Sequence, residues 1–250
     1  MAVGISLSLL EYESELSRNQ DNLFQSRSAY DIERLVKTGS LYALQLDIMR
    51  PPFIASKYAF SMSLVSKLCA AFSSRIALEA HLMARDPLHL VEQFNGFISR
   101  SDHGRLTVTM HREAYDSERE FLEALREVKS YGYRVGAALD LPTPTSMLTD
   151  GIADIADVVL LMCVPMGRGA QQYDERSTEK IREIANRFPS KSIEVDGGIN
   201  EKTAGHAVGA GAKILTVGSF ITKSQEPLEA LRQLQGILGV VSGTEGSLGK

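Results

Sequence analysis

The chain has 250 residues, of which 44% are hydrophobic and 23% are charged, and it contains no tryptophan. This composition is typical of a globular protein with enough apolar residues for one large core or two small ones. The net charge of −4 provides no basic surface, so nucleic acid is not expected as a partner. Cys69 and Cys163 are too few and too far apart for a disulfide framework or a thiolate cluster, and we expect two buried thiols in a reducing environment.

The N-terminal segment MAVGISLSLLEYESE has no basic start and soon becomes acidic, which argues against a secretory signal. A run of about 18 apolar residues, the length that a membrane span needs, does not occur in the sequence. We therefore predict a cytoplasmic protein that does not associate with membranes.

Short runs rich in valine, isoleucine and leucine alternate with amphipathic stretches, a rhythm typical of a parallel sheet covered by helices. The predicted strands are 4–10, 41–48, 75–83, 106–111, 134–140, 158–164, 192–196 and 214–219. The clearest helical spacing of apolar residues covers 175–188 and 226–238.

Eight strand and helix units without a long polar linker favour the α/β class and a single closed (β/α)8 TIM barrel over residues 1–238. An open doubly wound sheet is the alternative. The polar segment 11–28 is longer than a usual connection, and we expect it to fold over the barrel mouth or to pack as an extra helix. Residues 239–250 are mostly small and are predicted to form a flexible tail.

Polar side chains occur where several predicted strands end, which is where the catalytic groups of such barrels converge. They are Gln45, Asp47, His81 and Asp196, with Met49, Met83 and Met162 beside them. Two carboxylates that face each other suit proton transfer on opposite faces of a substrate, and a divalent cation held by the same groups would stabilise an enediolate. Alternatively, each aspartate is a helix cap or loop anchor and His81 is a hydrogen-bonded core residue.

The remaining histidines are weaker candidates. His111 ends the fourth strand, where it either points at the mouth or only holds a loop in place. We expect His89 and His206, in helices, and His103, in a polar loop, to be solvated.

Glycines follow three of the strands. Gly197 and Gly198 come directly after Asp196, Gly218 and Ser219 follow the eighth strand, and the loop 167–171 reads GRGAQ. A backbone without side chains can approach a ligand closely, and exposed amides at the start of a helix bind anions. Phosphate sites after strands seven and eight recur in this fold, so we predict a phosphate site here, with tight turns as the alternative.

With these residues in view, the sequence resembles the ribulose-phosphate 3-epimerase family from the first strand to about residue 238. The motifs that carry the resemblance are LDIM with a following PPFIAS, EAHLM, MHREA, YGYRVGAALDLPTPTSML, VVLLMCV before a glycine loop, IEVDGGIN and AGAKILTVGS. The resemblance implies a barrel, a phosphopentose substrate and a metal-assisted mechanism with two aspartates. It also implies a homo-oligomer.

The resemblance assigns roles to individual positions. Asp47 and Asp196 would be the acid and base and also metal ligands, with His81 and Gln45 completing the site for zinc, iron, manganese or cobalt. The substrate would contact Ser8, Met49, Met83, Met162, Gly169, Ala170, Gly197, Gly198, Gly218 and Ser219.

Three departures from the family pattern lie near these positions. Gln45 stands where the family has histidine, and because an amide oxygen is a weaker ligand for zinc, metal binding should be weakened or absent. Arg50 replaces an acid and is expected to lower the pKa of Asp47 or to bind an additional anionic group. PMGRGAQ replaces a loop that reads like NPGFGGQ, and Arg168 there either helps to hold phosphate or is solvated.

We therefore expect an epimerase that inverts carbon 3 of a ketose phosphate such as ribulose 5-phosphate. The alternative is a non-catalytic sugar-phosphate-binding or regulatory barrel with a degraded metal site, which the changes at Gln45 and Arg50 motivate. Decarboxylases and hexulose-phosphate synthases carry a DxKxxD pattern near strand three, which the segment EAHLMARDP does not match.

Overall fold

The computed structural model describes residues 3–55 and 57–244, with side chains described through residue 239. Eight parallel strands close into a barrel in chain order, with the first strand paired to the last. The strands are β1 Gly4–Ser8, β2 Ala43–Met49, β3 Ala77–Met83, β4 Leu106–His111, β5 Arg134–Leu139, β6 Val158–Met162, β7 Ser192–Asp196 and β8 Ile214–Val217. The predicted (β/α)8 barrel is confirmed, and the open sheet is ruled out because the ladder closes.

Helices cover the outside of the barrel. They are α1 Glu13–Arg18, α2 Arg27–Lys37, α3 Met62–Phe72, α4 Pro87–Phe94, α5 Glu118–Ser130, α6 Asp150–Ile155, α7 Arg176–Arg187, α8 Ala204–Gly209, α9 Ser219–Thr222 and α10 Pro227–Thr244. Helix α5 illustrates why they form: the Ser117 hydroxyl accepts a hydrogen bond from the backbone N–H of Glu120, and Phe121, Leu125 and Val128 recur at helical spacing on its buried face.

The polar segment 11–28 folds into a turn, the short helix α1 and a second turn between β1 and α2. Glu15 ties this segment to the next helix: its carboxylate accepts hydrogen bonds from the backbone N–H of Arg27 at 2.8 Å and from the hydroxyl of Ser28 at 2.5 Å. Leu16, in α1, is the fully buried residue of the segment's short helix. The segment thus packs as a helix next to the carboxyl end of β1.

The last helix ends later than expected. Helix α10 continues to Thr244, whereas the barrel was predicted to end at residue 238 with a flexible tail over 239–250. The apolar residues 234, 238 and 241 keep helical spacing in the sequence, which accounts for the longer helix. Residues 245–250 of the predicted tail lie outside the described residues.

The strands alternate between two environments. On β2, Leu44, Leu46 and Ile48 are buried in the apolar core shared with the helices. The intervening residues point into the barrel, since successive strand residues face opposite sides of a sheet. Several such interior positions carry buried polar side chains, namely Ser6, Ser8, Gln45, Asp47, Glu79, His81, Thr107, Thr109, Glu194 and Thr216. The inside of the barrel is therefore rich in polar groups.

The burial of individual residues tests the predictions for His103 and for the two cysteines. His103 was expected to be solvated, which is wrong: the ring is buried, stacks on Tyr133 and donates from Nδ1 to the carbonyl of Tyr131, because the turn 100–105 folds the polar loop against the barrel. Cys69 and Cys163 are buried free thiols, as predicted, and burial raises the pKa of each to about 12. Within the part of the chain that the structure describes, none of the helices has both the length and the apolar character of a membrane span.

Candidate active site

Asp47, His81 and Asp196 meet at the carboxyl end of the barrel. Asp47 on β2 is in register with His81 on β3, and Asp196 ends β7 on the other side of the mouth. The Nδ1 atom of His81 lies 3.0 Å from Oδ1 of Asp47 and 3.6 Å from Oδ2 of Asp196. The barrel thus brings together the three charged residues that were predicted from separate strands.

Asp47 and Asp196 line a cavity at this end of the barrel, and His81 is buried beside them. The walls of the cavity include residues from β1, β2, β3, β6, β7 and β8 and from the loops that follow β1, β6, β7 and β8. The predicted site residues among them are Ser8, Asp47, Met49, Met83, Met162, Gly169, Ala170, Asp196, Gly197, Gly198, Gly218 and Ser219. The two aspartates and all the predicted substrate contacts therefore border one space.

Gln45 lies beneath the two aspartates. Its amide nitrogen donates to Oδ1 of Asp47 at 3.0 Å and to Oδ2 of Asp196 at 2.9 Å, while its amide oxygen lies 3.2 Å from the hydroxyl of Thr216, whose single proton is directed at the closer Glu194. An ionised carboxylate only accepts hydrogen bonds, so the nitrogen is the correct end of the amide to face both acids. To serve as a metal ligand, Gln45 would have to turn its oxygen toward them.

The two aspartates differ in their surroundings. The Ser8 hydroxyl donates to Oδ2 of Asp47 at 2.7 Å, and the Asp47 side chain is buried. Asp196 keeps about 15% of its side chain exposed. Burial, followed by the negative charge of Asp47, raises the pKa of Asp196 to about 7. The pair therefore includes one carboxyl that can hold a proton near neutral pH.

His81 carries a second, buried partner that the sequence argument left open. Its Nε2 lies 2.8 Å from Nε2 of His111, and Nδ1 of His111 lies 3.1 Å from Oε2 of Glu113. Burial acts to raise the pKa of Glu113, but the hydrogen bond from His111 and other donors outweighs it and lowers the pKa to about 2. His111 thus links His81 to an ionised carboxylate, which goes beyond holding a loop.

A further polar layer, which the sequence argument missed, lies deeper in the barrel. Glu79 and Glu194 are buried side by side, and burial raises the pKa of both carboxyls. Ser6 donates to Glu79 at 2.6 Å and Thr216 to Glu194 at 2.7 Å, but Oε1 of Glu79 has no donor among the described residues. Because burial raises both pKa values, we expect one of these two carboxyls to retain a proton. The sequence did contain a signal for this layer. In ALEAHLM and SIEVD each glutamate stands two residues before a site residue, so strand alternation places it on the same inner face of the barrel.

The donor set fits a divalent cation. Asp47, His81 and Asp196 each offer one ligand atom, and these atoms lie within 4.8 Å of one another. Two carboxylate oxygens and one imidazole nitrogen suit zinc, iron or manganese. The chain therefore provides three suitable ligands without Gln45.

The two glycines after Asp196 have a structural reason. Gly197 and Gly198 both have positive φ, at 116° and 67°. A Cβ on Gly198 would lie 2.2 Å from the backbone nitrogen of Tyr173, and one on Gly197 would lie 2.5 Å from the side chain of Val164. The loop after β6 thus packs directly on the DGG turn, and both glycines also border the cavity. Tight packing explains the glycine pair, and the phosphate role remains a prediction.

Glu11 was not among the predicted site residues, yet it lines the same cavity. Its carboxylate packs on Gly169: a Cβ on Gly169 would lie 2.2 Å from Oε1 of Glu11. The other oxygen, Oε2, pairs with Nζ of Lys223 at 2.8 Å. An acid from the segment after β1 therefore lies at the predicted phosphate end of the site.

The two arginines that distinguish this chain differ in position. The guanidinium of Arg50 donates to the backbone carbonyls of Met49, Ala59 and Phe60 and stacks on Tyr58 at 4.0 Å, so it holds the loop after β2 rather than an anion in the cavity. Burial lowers its pKa. Arg168 is exposed, lines the cavity and donates to Gln171 at 3.1 Å.

The fold and this cavity define a (β/α)8 barrel with a polar, acid-lined site at the carboxyl ends of its strands. Solved structures share the barrel: 3-keto-L-gulonate-6-phosphate decarboxylase from Vibrio cholerae has a TM-score of 0.65 at 10% identity, covering 96% of this chain and 99% of that one. 3-Hexulose-6-phosphate synthase from Salmonella typhimurium has a TM-score of 0.62 at 16% identity, covering 96% and 100%. At such identities the likeness shows the fold alone.

The sequence comparisons define the family. Residues 22–222 match the model of the ribulose-phosphate 3 epimerase family, so this chain belongs to that family of isomerases. Ribulose-phosphate 3-epimerase of Schizosaccharomyces pombe is 27% identical over 82% of this chain and 85% of its own length. The cytoplasmic isoform from Oryza sativa subsp. japonica is 29% identical over 83% and 86%, and the Escherichia coli K12 enzyme is 28% identical over 66% and 71%.

Proposed function

We propose that this protein inverts carbon 3 of a ketose phosphate such as ribulose 5-phosphate, with Asp47 and Asp196 as the proton-transfer pair. The observation that carries the proposal is that two carboxylates from β2 and β7 border one cavity and share the donors Gln45 and His81. The family to which the chain belongs supports an isomerase of this kind.

The unequal carboxyls suggest how the protons move. With its pKa near 7, Asp196 can hold a proton while Asp47 is ionised and accepts hydrogen bonds from Ser8 and Gln45. Asp47 then removes the proton from carbon 3 on one face, and Asp196 delivers its proton to the same carbon on the other face. In the reverse reaction the two carboxyls exchange roles.

A divalent cation bound by Asp47, His81 and Asp196 would offset the negative charge that develops on the substrate oxygens. The residues of the chain contribute the rest. Met49, Met83 and Met162 are buried and provide an apolar wall, which limits the access of water to the carbanionic carbon. The identity of the cation and the place of Gln45 among its ligands are part of the proposal.

The phosphate would be bound by backbone amides around Gly169 and Ala170, Gly197 and Gly198, and Gly218 and Ser219. Support comes from their position, because all six residues line the cavity next to Asp196. Arg168 lines the same space and adds a positive charge at its rim. A ligand anchored there would extend toward the two aspartates.

Solvent exchange tests the proposal. In deuterium oxide, ribulose 5-phosphate should acquire one deuterium at carbon 3, observed by NMR as loss of that proton signal. The variants Asp47→Asn and Asp196→Asn should each slow exchange by about 10²-fold or more, because each removes one proton-transfer group. Asp116→Asn is the matched control, since that exposed carboxylate pairs with Arg85 and does not line the cavity. Unimpaired exchange in Asp196→Asn would remove the two-carboxyl mechanism.

The orientation of Gln45 favours a second candidate, a sugar-phosphate-binding barrel without catalysis. Its amide nitrogen links the two acids directly, an arrangement that does not itself need a cation. Such a protein would bind ribulose 5-phosphate without deuterium incorporation and would be purified without a stoichiometric metal. Metal analysis together with the exchange experiment separates the two functions.

A further inference from the structure

The predicted phosphate end of the cavity contains a carboxylate of the protein itself. Glu11 borders the cavity together with Gly169, Gly198 and Ser219, and its Oε1 packs directly on Gly169. The Glu11 side chain is about 19% exposed, so it is largely shielded from solvent. A phosphate dianion bound on the surrounding amides would lie next to this negative charge and be repelled by it.

Lys223 supplies the opposite charge. Its Nζ lies 2.8 Å from Oε2 of Glu11, and its side chain is 56% exposed. Lys223 directly follows α9, which begins at the cavity residue Ser219. The loop and helix after β8 therefore carry both a part of the amide surface and the ammonium group. A lysine side chain has a flexible four-carbon stem and can change partners without moving the backbone.

The backbone holds Glu11 at this end of the site. The Ser8 hydroxyl, which donates to Asp47, accepts a hydrogen bond from the backbone N–H of Leu10 at 3.3 Å. Residues 10–12 form a turn immediately after β1, and the N–H of Tyr12 bonds the carbonyl of Leu9 at 2.9 Å. The Glu11 carboxylate therefore belongs to a segment that is tied to the barrel mouth.

We propose that Glu11 competes with the substrate phosphate for Lys223. In the ligand-free protein the ammonium group pairs with Glu11, and when phosphate binds, Lys223 leaves the carboxylate and pairs with the phosphate. Glu11 thus lowers phosphate affinity, and Lys223 raises it. The proposal rests on the proposed function in one respect, namely that this end of the cavity receives the phosphate group.

The test measures the affinity for inorganic phosphate by calorimetry at low ionic strength, with the full-length protein. Glu11→Gln should bind phosphate about tenfold more tightly, because the competing charge is removed while the side chain keeps its size. Lys223→Gln should bind about tenfold more weakly. In the double variant the gain from Glu11→Gln should shrink, since Lys223 is no longer present to be released.

Matched controls separate the competition for Lys223 from a general effect of protein charge on phosphate affinity. Glu201→Gln and Lys202→Gln alter exposed charges in the loop after β7, and each should change the phosphate affinity by less than about twofold. A gain of equal size in Glu201→Gln, or an unchanged or weaker affinity in Glu11→Gln, would overturn the proposal. So would the absence of measurable phosphate binding in both the wild type and Glu11→Gln.

The outcome is separable from that of the proposed epimerase activity. Deuterium exchange at carbon 3 depends on Asp47 and Asp196, whereas phosphate binding is measured without a sugar. If the wild type exchanges deuterium at carbon 3 but Glu11→Gln and Lys223→Gln bind phosphate equally well, the competition between Glu11 and phosphate for Lys223 is rejected. The proposed epimerase activity is then unaffected. If Glu11→Gln binds phosphate more tightly but no deuterium is incorporated, the competition for Lys223 is supported and the epimerase activity is rejected.

Discussion

The Nε2 atoms of His81 and His111 lie 2.8 Å apart, and both rings are buried between β3 and β4. Only one of the two nitrogens can donate in this contact. Because Glu113 is ionised, Nδ1 of His111 carries a proton and donates to it, so a neutral His111 accepts at Nε2. His81 then donates from Nε2 to His111 and from Nδ1 to Asp47, and loss of the Nδ1 proton would free a lone pair for a cation.

These hydrogen bonds, from Glu113 through His111 to His81, predict that His111 is a positioning residue for cation binding. His111→Phe keeps a ring of similar size next to Phe53 but removes the acceptor for His81. We expect it to weaken zinc binding by about 10-fold to 100-fold, the usual effect of losing the partner of a metal-ligating histidine. Competition with a chromogenic chelator measures the affinity, independently of any catalytic activity.

The conservative variant His111→Gln tests whether the hydrogen bond from His81, and not the ring of His111, supports cation binding. Its amide oxygen can accept from His81, so zinc affinity should return to within about threefold of the wild type. Equal affinities for the wild type and His111→Phe would show that His111 only fills space.

The pH dependence of stability follows from Asp196. Its pKa is about 7 in the folded protein and 3.8 as the reference for the unfolded chain, so the folded state binds the additional proton between these values. Stability should therefore fall as the pH rises from about 4 through about 7, in protein treated with a chelator. His81, whose pKa is raised by its hydrogen bond to Asp47 despite burial, changes stability in the same direction because its contribution is lost as the pH rises.

Urea unfolding at about pH 5 and about pH 8 measures this effect. The variant Asp196→Asn cannot titrate at this position, so the difference between its two midpoints should be smaller than in the wild type. A wild-type midpoint that increases with pH would contradict the raised pKa.

We expect Gln45 to limit the zinc affinity of the proposed site. Replacing it by histidine adds an imidazole beside Asp47, and Gln45→His should bind zinc about tenfold more tightly than the wild type. Gln233→His is the control, because Gln233 is exposed on the outer helix α10 and does not line the cavity that contains Asp47 and Asp196. Weaker zinc binding in Gln45→His would show that this position does not reach the cation.

Gly198 should be intolerant of a side chain. Its φ of 67° and the 2.2 Å approach of the Tyr173 nitrogen mean that Gly198→Ala must displace backbone, at an expected loss of about 1–3 kcal/mol in the free energy of unfolding. Gly205→Ala is the matched control: Gly205 lies in α8 with nothing within 4 Å of the added Cβ, so this change should be neutral or stabilising by up to about 1 kcal/mol. Chemical denaturation compares the two, and equal stabilities would refute the packing argument.

Much of the site was predictable because parallel strands in a closed barrel all end on one side. Asp47, His81 and Asp196 were identified from their positions at strand ends, and the structure brings all three within ligand distance of one another. The glycines after β7 were likewise identified, although their contact with the loop after β6 was not. These predictions depended only on strand alternation and on the direction of the strands.

The groups that individual side chains contact were not predictable in the same way. Arg50 is adjacent in sequence to the site residue Met49, yet its guanidinium binds carbonyls of residues 49, 59 and 60. His103 occurs in a polar stretch but is buried against Tyr133. In both cases the outcome depends on where a distant loop folds, which local patterns do not encode.

The sequence by itself determined the eight strand and helix units and the residues at the strand ends, because the apolar periodicity of each strand and helix is a local property. Only the tertiary structure decided that the Gln45 nitrogen faces both acids, that His111 contacts His81 and that Glu11 lines the cavity at the predicted phosphate end. These contacts join strands and loops that are far apart in the chain, and their geometry is set by barrel closure and loop packing together.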